Sequence, residues 1–228
     1  MKEKIIERGH YVEVPVPQDA VLIPAGTKIS LCEDNPASRH YVLEEGAELE
    51  LCLLMLSSES SGTELTVDFI GSGAKADLSG IYVCKAEESL SLKVTVRHRT
   101  GDCASRQLFN GIVSGSAKAA FDGRIIVAPD AQKIKAFQEN HNLLLSEAAW
   151  AETRPQLEIY ADDVECSHGA TIGRLNEDEQ FYMRSRGIPE DEARVLQMIS
   201  FLSPVLEHVP EGRREEVRDR ITDIVRSL

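Results

Sequence analysis

No run in these 228 residues approaches the ~18 consecutive apolar side chains that a membrane helix needs. The opening Met1-Lys2-Glu3-Lys4 leads through Ile5-Ile6 straight back into charge, without the apolar stretch of a signal peptide, so a cytoplasmic protein is expected, with no membrane partner. Cysteine is scarce and odd in number, at five; the nearest two, Cys84 and Cys103, are far apart and no Cys-x-x-Cys occurs, which excludes a disulfide framework and a zinc ribbon. Positive charge is also short. Lys and Arg number 25 against 38 Asp and Glu, and a net charge of -13 repels a phosphate backbone, so nucleic acid is not an expected partner. Gly-Lys-Ser/Thr is missing, which leaves the glycines at 71 and 73 without a phosphate-loop reading. Ser72-Gly73-Ala74-Lys75 has the Ser-x-x-Lys form, but its lysine recurs at Lys118 without the matching serine, so small residues at a chain corner explain it better.

What is present, from about Val12 to Val164, is β texture. Ala47-Glu48-Leu49-Glu50-Leu51, Leu65-Thr66-Val67-Asp68-Phe69 and Leu90-Ser91-Leu92-Lys93-Val94-Thr95-Val96 place every second apolar side chain on one face. An internal echo narrows the fold: Ala74-Lys75-Ala76-Asp77-Leu78-Ser79-Gly80 resembles Ala117-Lys118-Ala119-Ala120-Phe121-Asp122-Gly123, roughly 43 residues on. That spacing fits one propeller blade or two solenoid turns of ~20 residues. A propeller would barely fit into the β-rich part, whereas a parallel β-helix tolerates any number of rungs, so a β-solenoid is expected.

After Gly173 the period changes to that of helices. Asn176 is a candidate N-cap followed by Glu177, Asp178 and Glu179, and Gly187 stands where a helix would end. Pro189 opens a second helix with Val195, Leu196, Ile199 and Leu202 on one face, which Pro204 should bend or end. A third follows Pro210 with Val217, Ile221, Ile224 and Leu228 in a stripe. The expected organisation is a mainly β core over residues 1–173 carrying a helical appendage over residues 174–228.

One constellation carries coordination chemistry. Cys166 and His168 are two apart, so on a strand both project to one face, and thiolate and imidazole suit iron or zinc. Two ligands do not close a site, and the bland reading is a buried thiol beside a hydrogen-bonded histidine. The other histidines, His10, His40, His98, His141 and His208, are isolated, and Trp150 is expected to pack.

Longer runs of residues are recognisable. Ala131-Gln132-Lys133, Phe137-Gln138, Asn140, Asn142-Leu143-Leu144-Leu145-Ser146, Pro155 through Val164, Cys166-Ser167-His168-Gly169-Ala170-Thr171-Ile172-Gly173 and Phe181-Tyr182-Met183-Arg184-Ser185-Arg186-Gly187-Ile188 resemble the SufB/SufD family of iron–sulfur cluster assembly proteins, on its SufD side. His98 with Ser105, Gly111-Ile112-Val113 and Phe121-Asp122-Gly123 match as well.

That resemblance implies a right-handed parallel β-helix with a C-terminal helical segment, and places the family's N-terminal helical region outside this chain. It implies a non-enzymatic scaffold that pairs through the end of its β-helix with a SufB-like chain or a second copy of itself. It implies docking of SufC, an ABC-type ATPase, through the helical segment, with Phe181, Tyr182, Arg184, Arg186 and Gly187 as the partner-binding residues. An iron–sulfur cluster would form transiently at the interface, with His168 as a ligand and Cys166 beside it, none being tightly bound in the isolated chain; the resemblance leaves flavin involvement open. Gly169 stands where SufB-type chains carry a glutamate, and Asn140-His141-Asn142 where they carry a sulfur-accepting cysteine, departures that point to a SufD-like role. The competing reading is a homodimeric metal-binding or storage protein without an assembly role. A carbohydrate-active β-helix enzyme has little support, since aromatics are 5% of the chain and no paired-acid cleft is evident.

Overall fold

Every second residue of the β-strands points into one shared interior. In the computed structural model, which describes residues 14–56 and 62–228, the described residues form twelve strands and three helices. Val12 and His10 lie outside the described residues. Strands β1 (Val21–Ile23), β3 (Arg39–Leu43), β5 (Gly62–Phe69), β7 (Ser89–His98), β9 (Lys118–Val127) and β11 (Trp150–Ile159) stack in that order into one parallel sheet. Strands β2 (Lys28–Asp34), β4 (Glu48–Met55), β6 (Lys75–Cys84), β8 (Ala104–Val113), β10 (Ile134–Leu144) and β12 (Val164–Gly173) stack into the second. Consecutive strands alternate between the sheets, so the chain winds as the expected β-solenoid. Its axial core takes Leu49, Leu51 and Leu53 from β4, Leu65, Val67 and Phe69 from β5, and Leu92, Val94 and Val96 from β7.

The echo proves not to be two turns. Lys75 pairs with Ala104 in the second sheet, whereas Lys118 pairs with Ser89 and Trp150 in the first, so the two copies sit on opposite walls. The rungs of the second sheet run roughly 20 residues from Lys28 to Glu48, 27 to Lys75, 29 to Ala104, 31 to Lys135 and 30 to Glu165, within the solenoid range. What the copies share is a corner. Each follows a glycine in the left-handed region, Gly73 at φ 72 and Gly115 at φ 67, a conformation open to glycine without steric cost.

The helices α1 (Glu177–Ser185), α2 (Glu190–Leu206) and α3 (Glu211–Arg226) form a layer rather than an appendage. Along β6 the outward positions change from Lys75, Asp77 and Ser79 to Ile81 and Val83, so the strand reads as a continuous apolar run where both its faces are covered. Leu54, Ile81, Val83, Leu108 and Ile112 meet Met198, Leu202 and Val205 of α2 and Val217, Ile221 and Val225 of α3 in a second core. Arg213 ties α3 to the first rung, donating to the Cys32 carbonyl at 3.0 Å and to Asp34 at 2.8 Å, and Arg220 pairs with Asp34 as well. Pro204 lies inside α2, which runs on to Leu206; in the last turn its missing N–H costs only one ladder bond. No helix of the described residues is long and apolar enough to cross a membrane.

Candidate functional site

The last rung leaves two strands with one free edge each, because β11 and β12 end their sheets. Their edges differ. β11 carries Pro155, opposite Gly123, with Glu152, Arg154 and Glu158, the residues by which an open edge resists pairing. β12, Val-Glu-Cys-Ser-His-Gly-Ala-Thr-Ile-Gly, has no proline and no lysine, and Ile172 on it is 47% exposed.

Strand alternation sets what β12 presents. Cys166 stands over Ala136, His168 over Gln138, Ala170 over Asn140 and Ile172 over Asn142, all on the face that the earlier rungs bury. Cys166 is half-buried and packs against the axial core, and burial pushes its thiol up. His168 is exposed. The expected pair is thus brought onto one face, the thiol inside and the imidazole in solvent. Among the described residues no cluster of three or more His, Cys, Asp or Glu is arranged to hold a metal ion, and Cys166 and His168 are two donors where a closed site needs more.

Beneath His168 the core turns polar, which the sequence reading did not single out. Gln138 donates to Gln107 at 2.7 Å. Asn140 donates to the Tyr82 hydroxyl and to the Phe109 carbonyl, each at 3.0 Å. The Tyr82 hydroxyl donates to Asn142 at 2.6 Å, and Asn142 donates back to Asn140 at 2.9 Å. Gln107 Nε2 and Gln138 Oε1 are buried without a partner. A Cβ on Gly123 would collide with the Gln138 amide, so that glycine makes the room the column needs. The signal was readable as polar residues at period two, Gln138, Asn140 and Asn142, on a strand whose inward face should be apolar. His141 points the other way, to Thr171 Oγ1 at 2.8 Å.

The second candidate surface lies on α1. Asn176 accepts from the N–H groups of Asp178 at 2.9 Å and Glu179 at 3.1 Å, and Gly187, at φ 87, donates to the Arg184 carbonyl at 2.9 Å while Ile188 donates to Met183 at 3.2 Å. Gly187 is therefore the C′ glycine of a Schellman turn. Phe181 and Tyr182 are 72% and 59% exposed, so neither pins the helix to the last rung. The Arg186 guanidinium lies 5.2 Å from the Tyr182 ring centroid, and Arg184 pairs with Glu190 at 3.4 Å. Between α1 and α2 runs a groove of about 530 Å³ lined by Tyr182, Met183, Leu196, Gln197 and Phe201. Trp150, expected to pack, is 46% exposed at the start of β11, because it stands on the outward face in line with the exposed Lys118 and Ser89.

Other expectations resolve as architecture. Ser72 donates to the Gly101 carbonyl at 3.1 Å and Lys75 pairs with Glu48 at 2.8 Å, which leaves the Ser-x-x-Lys spacing without chemistry. On the outer wall of the first sheet Asp68 is fully buried among His40 at 2.5 Å, Arg99 at 2.7 Å and Arg97 at 3.5 Å.

Comparison with known proteins matches residues 35–201 to the family described as SUF system FeS cluster assembly, SufBD core domain. The chain is 35% identical to the iron–sulfur cluster assembly protein SufD of Escherichia coli over 85% of its length and 47% of that protein's. It is 36% identical to the chloroplastic protein ABCI7 of Arabidopsis thaliana over 97% of its own length and 48% of that protein's. With SufD of Bacillus subtilis it shares 29% identity over 91% of its length and 52% of that protein's. The chain spans about half the length of these curated relatives.

Proposed function

Because the chain belongs to the SufBD core family of SUF iron–sulfur cluster assembly proteins, we propose that it serves as a SufD-like scaffold subunit: it pairs through β12 and docks a SufC-type ABC ATPase through its helical layer. The observation that carries this reading is the free edge of β12, ten residues without proline or lysine, holding Cys166 and His168 on one face. A SufB-like chain or a second copy of this one would add a strand there and bring the missing ligands to a cluster that is cargo rather than a resident cofactor. The thiol of Cys166 is held protonated by burial, so cluster binding there releases a proton. The chain itself catalyses no bond change in this reading; the ATPase drives the rearrangement. The groove beside Tyr182, with the Arg186 guanidinium over the ring, is the docking surface for the ATPase.

The test is anaerobic reconstitution with iron and sulfide, followed by absorption spectroscopy and sizing, on the chain alone and mixed with a SufB-type chain and a SufC-type ATPase, in wild type and His168→Ala. A stable complex with the ATPase, and cluster absorption that the alanine variant loses, support the scaffold. Arg186→Glu should weaken capture of the ATPase while thermal unfolding stays unchanged. No complex with either partner, with cluster held by the homodimer alone, would instead establish a metal-binding protein without an assembly role.

A further inference from the structure

Away from both surfaces, β2 and β4 carry cysteines at the same register position: Cys32 and Cys52 are paired residues on adjacent parallel strands, both on the outward face beneath the start of α3. Neighbouring strands lie about 4.8 Å apart, inside the roughly 4.4–6.8 Å of Cα separation that a disulfide bridges. Cys52 is 1% exposed, whereas Cys32 is half-buried at the rim of the helical layer. The next position in the column is Ser79.

The surroundings divide the labour between the two sulfurs. The neighbouring Cys52 thiol draws the Cys32 thiol below its usual range, with the Arg213 guanidinium adding to the effect, and the pairing together with burial pushes Cys52 up. The remaining thiols go the other way: burial raises Cys103 and Cys166 and lifts Cys84 to about 12. Cys32 is the more accessible thiol of the pair, and the second stands opposite it on the adjacent strand.

We propose that Cys32 and Cys52 are a reversible oxidation site that takes a hydroperoxide and closes as a disulfide between the first two rungs. The Cys32 thiolate attacks the distal peroxide oxygen, the O–O bond breaks, and the other oxygen leaves with a proton as alcohol or water. The resulting sulfenic acid on Cys32 is attacked by the Cys52 sulfur, which gives up its proton as the sulfenic hydroxyl leaves as water. Two thiols lose two electrons and the hydroperoxide gains them; an external dithiol reverses the change. The bond would staple β4 to β2, the strand on which Arg213 and Arg220 seat α3.

The experiment is graded hydrogen peroxide treatment of the folded chain, with thiol blocking, proteolysis and mass mapping. A Cys32–Cys52 peptide lighter by two hydrogens should appear before any change at Cys84, Cys103 or Cys166, and dithiothreitol should reverse it. In Cys52→Ala the Cys32 sulfur should persist as a dimedone-reactive sulfenic acid or pass on to sulfinic acid, and in Cys32→Ser the buried Cys52 should stay unmodified. Because Cys32 lies at the rim and is only partly buried, its serine variant tests the site even where a change at Cys52 weakens the fold. Direct conversion of Cys32 to sulfinic acid in the wild type would overturn the proposal, as would a disulfide that forms only in urea or a native pairing of either cysteine with another thiol.

Discussion

Gln138 and His168 are register partners on β10 and β12, yet Gln138 is 1% exposed and His168 stands in solvent. The difference is one missing strand. A strand added to the free edge of β12, as the proposed pairing requires, would do for His168 what β12 does for Gln138. Ile172, four residues further along and 47% exposed, lies on the same face. Ile172→Asp should therefore abolish association through this end while leaving the melting temperature of the isolated chain within a degree or two, as surface substitutions usually do. Analytical ultracentrifugation with and without a SufB-type chain reads this, and unchanged association would remove β12 from the interface.

The buried glutamine pair makes a sharper energetic prediction. Gln138→Leu leaves Gln107 buried with no hydrogen-bond partner and should cost about 1–3 kcal/mol. Replacing both by leucine removes the unpaired donor and acceptor together and should recover most of that loss. Urea unfolding of the two singles and the double gives the coupling; additive losses would mean that the pair is not a unit.

Leu202 is fully buried between the second sheet and α3. Leu202→Ala should cost about 2–5 kcal/mol, and because it acts on the second core and not the axial one, protection should be lost first in α2 and α3. Hydrogen exchange resolved by peptide checks the order. Equal loss in β5 and β7 would show that the two cores unfold as one.

Two histidines give stability opposite pH slopes. Burial against Phe69 and Ser105 holds His98 down at about 3, well below the ~6.5 of an unfolded chain. Between those values the unfolded chain takes up the extra proton, so stability falls as pH drops through that window. His208 is raised by its hydrogen bond to Asp77, a pair at 3.2 Å, so its contribution is complete below ~6.5 and is lost as pH rises through the raised value. In melting curves against pH, His98→Gln should flatten the acid limb, whereas His208→Gln should lower the melting temperature on the acid side and converge with wild type in alkali. Parallel curves across the range would contradict both assignments.

Much of this was legible in the residues. The alternation in Leu65 to Phe69 and Leu90 to Val96 places those strands with the correct faces inward, and Asn176 and Gly187 mark both ends of α1 because capping is a local matter. The parity of Cys166 and His168 likewise needs only a strand. Rung length was not legible, because the corner that the echo marks occurs on both walls of the solenoid. Nor was the helical layer: Ile81, Val83, Leu108 and Ile112 belong to an outer face only once a helix is known to lie there. Gln107, Gln138 and His168 are roughly 30 residues apart in sequence and meet only through register, which no local pattern encodes.

The unequal rungs have a consequence for assembly errors. In the second sheet no two successive rungs have the same length, so a strand cannot be exchanged for its neighbour above without residues left over. A stack of interchangeable coils would tolerate slippage or rung trading between molecules; this one carries its winding count in the chain.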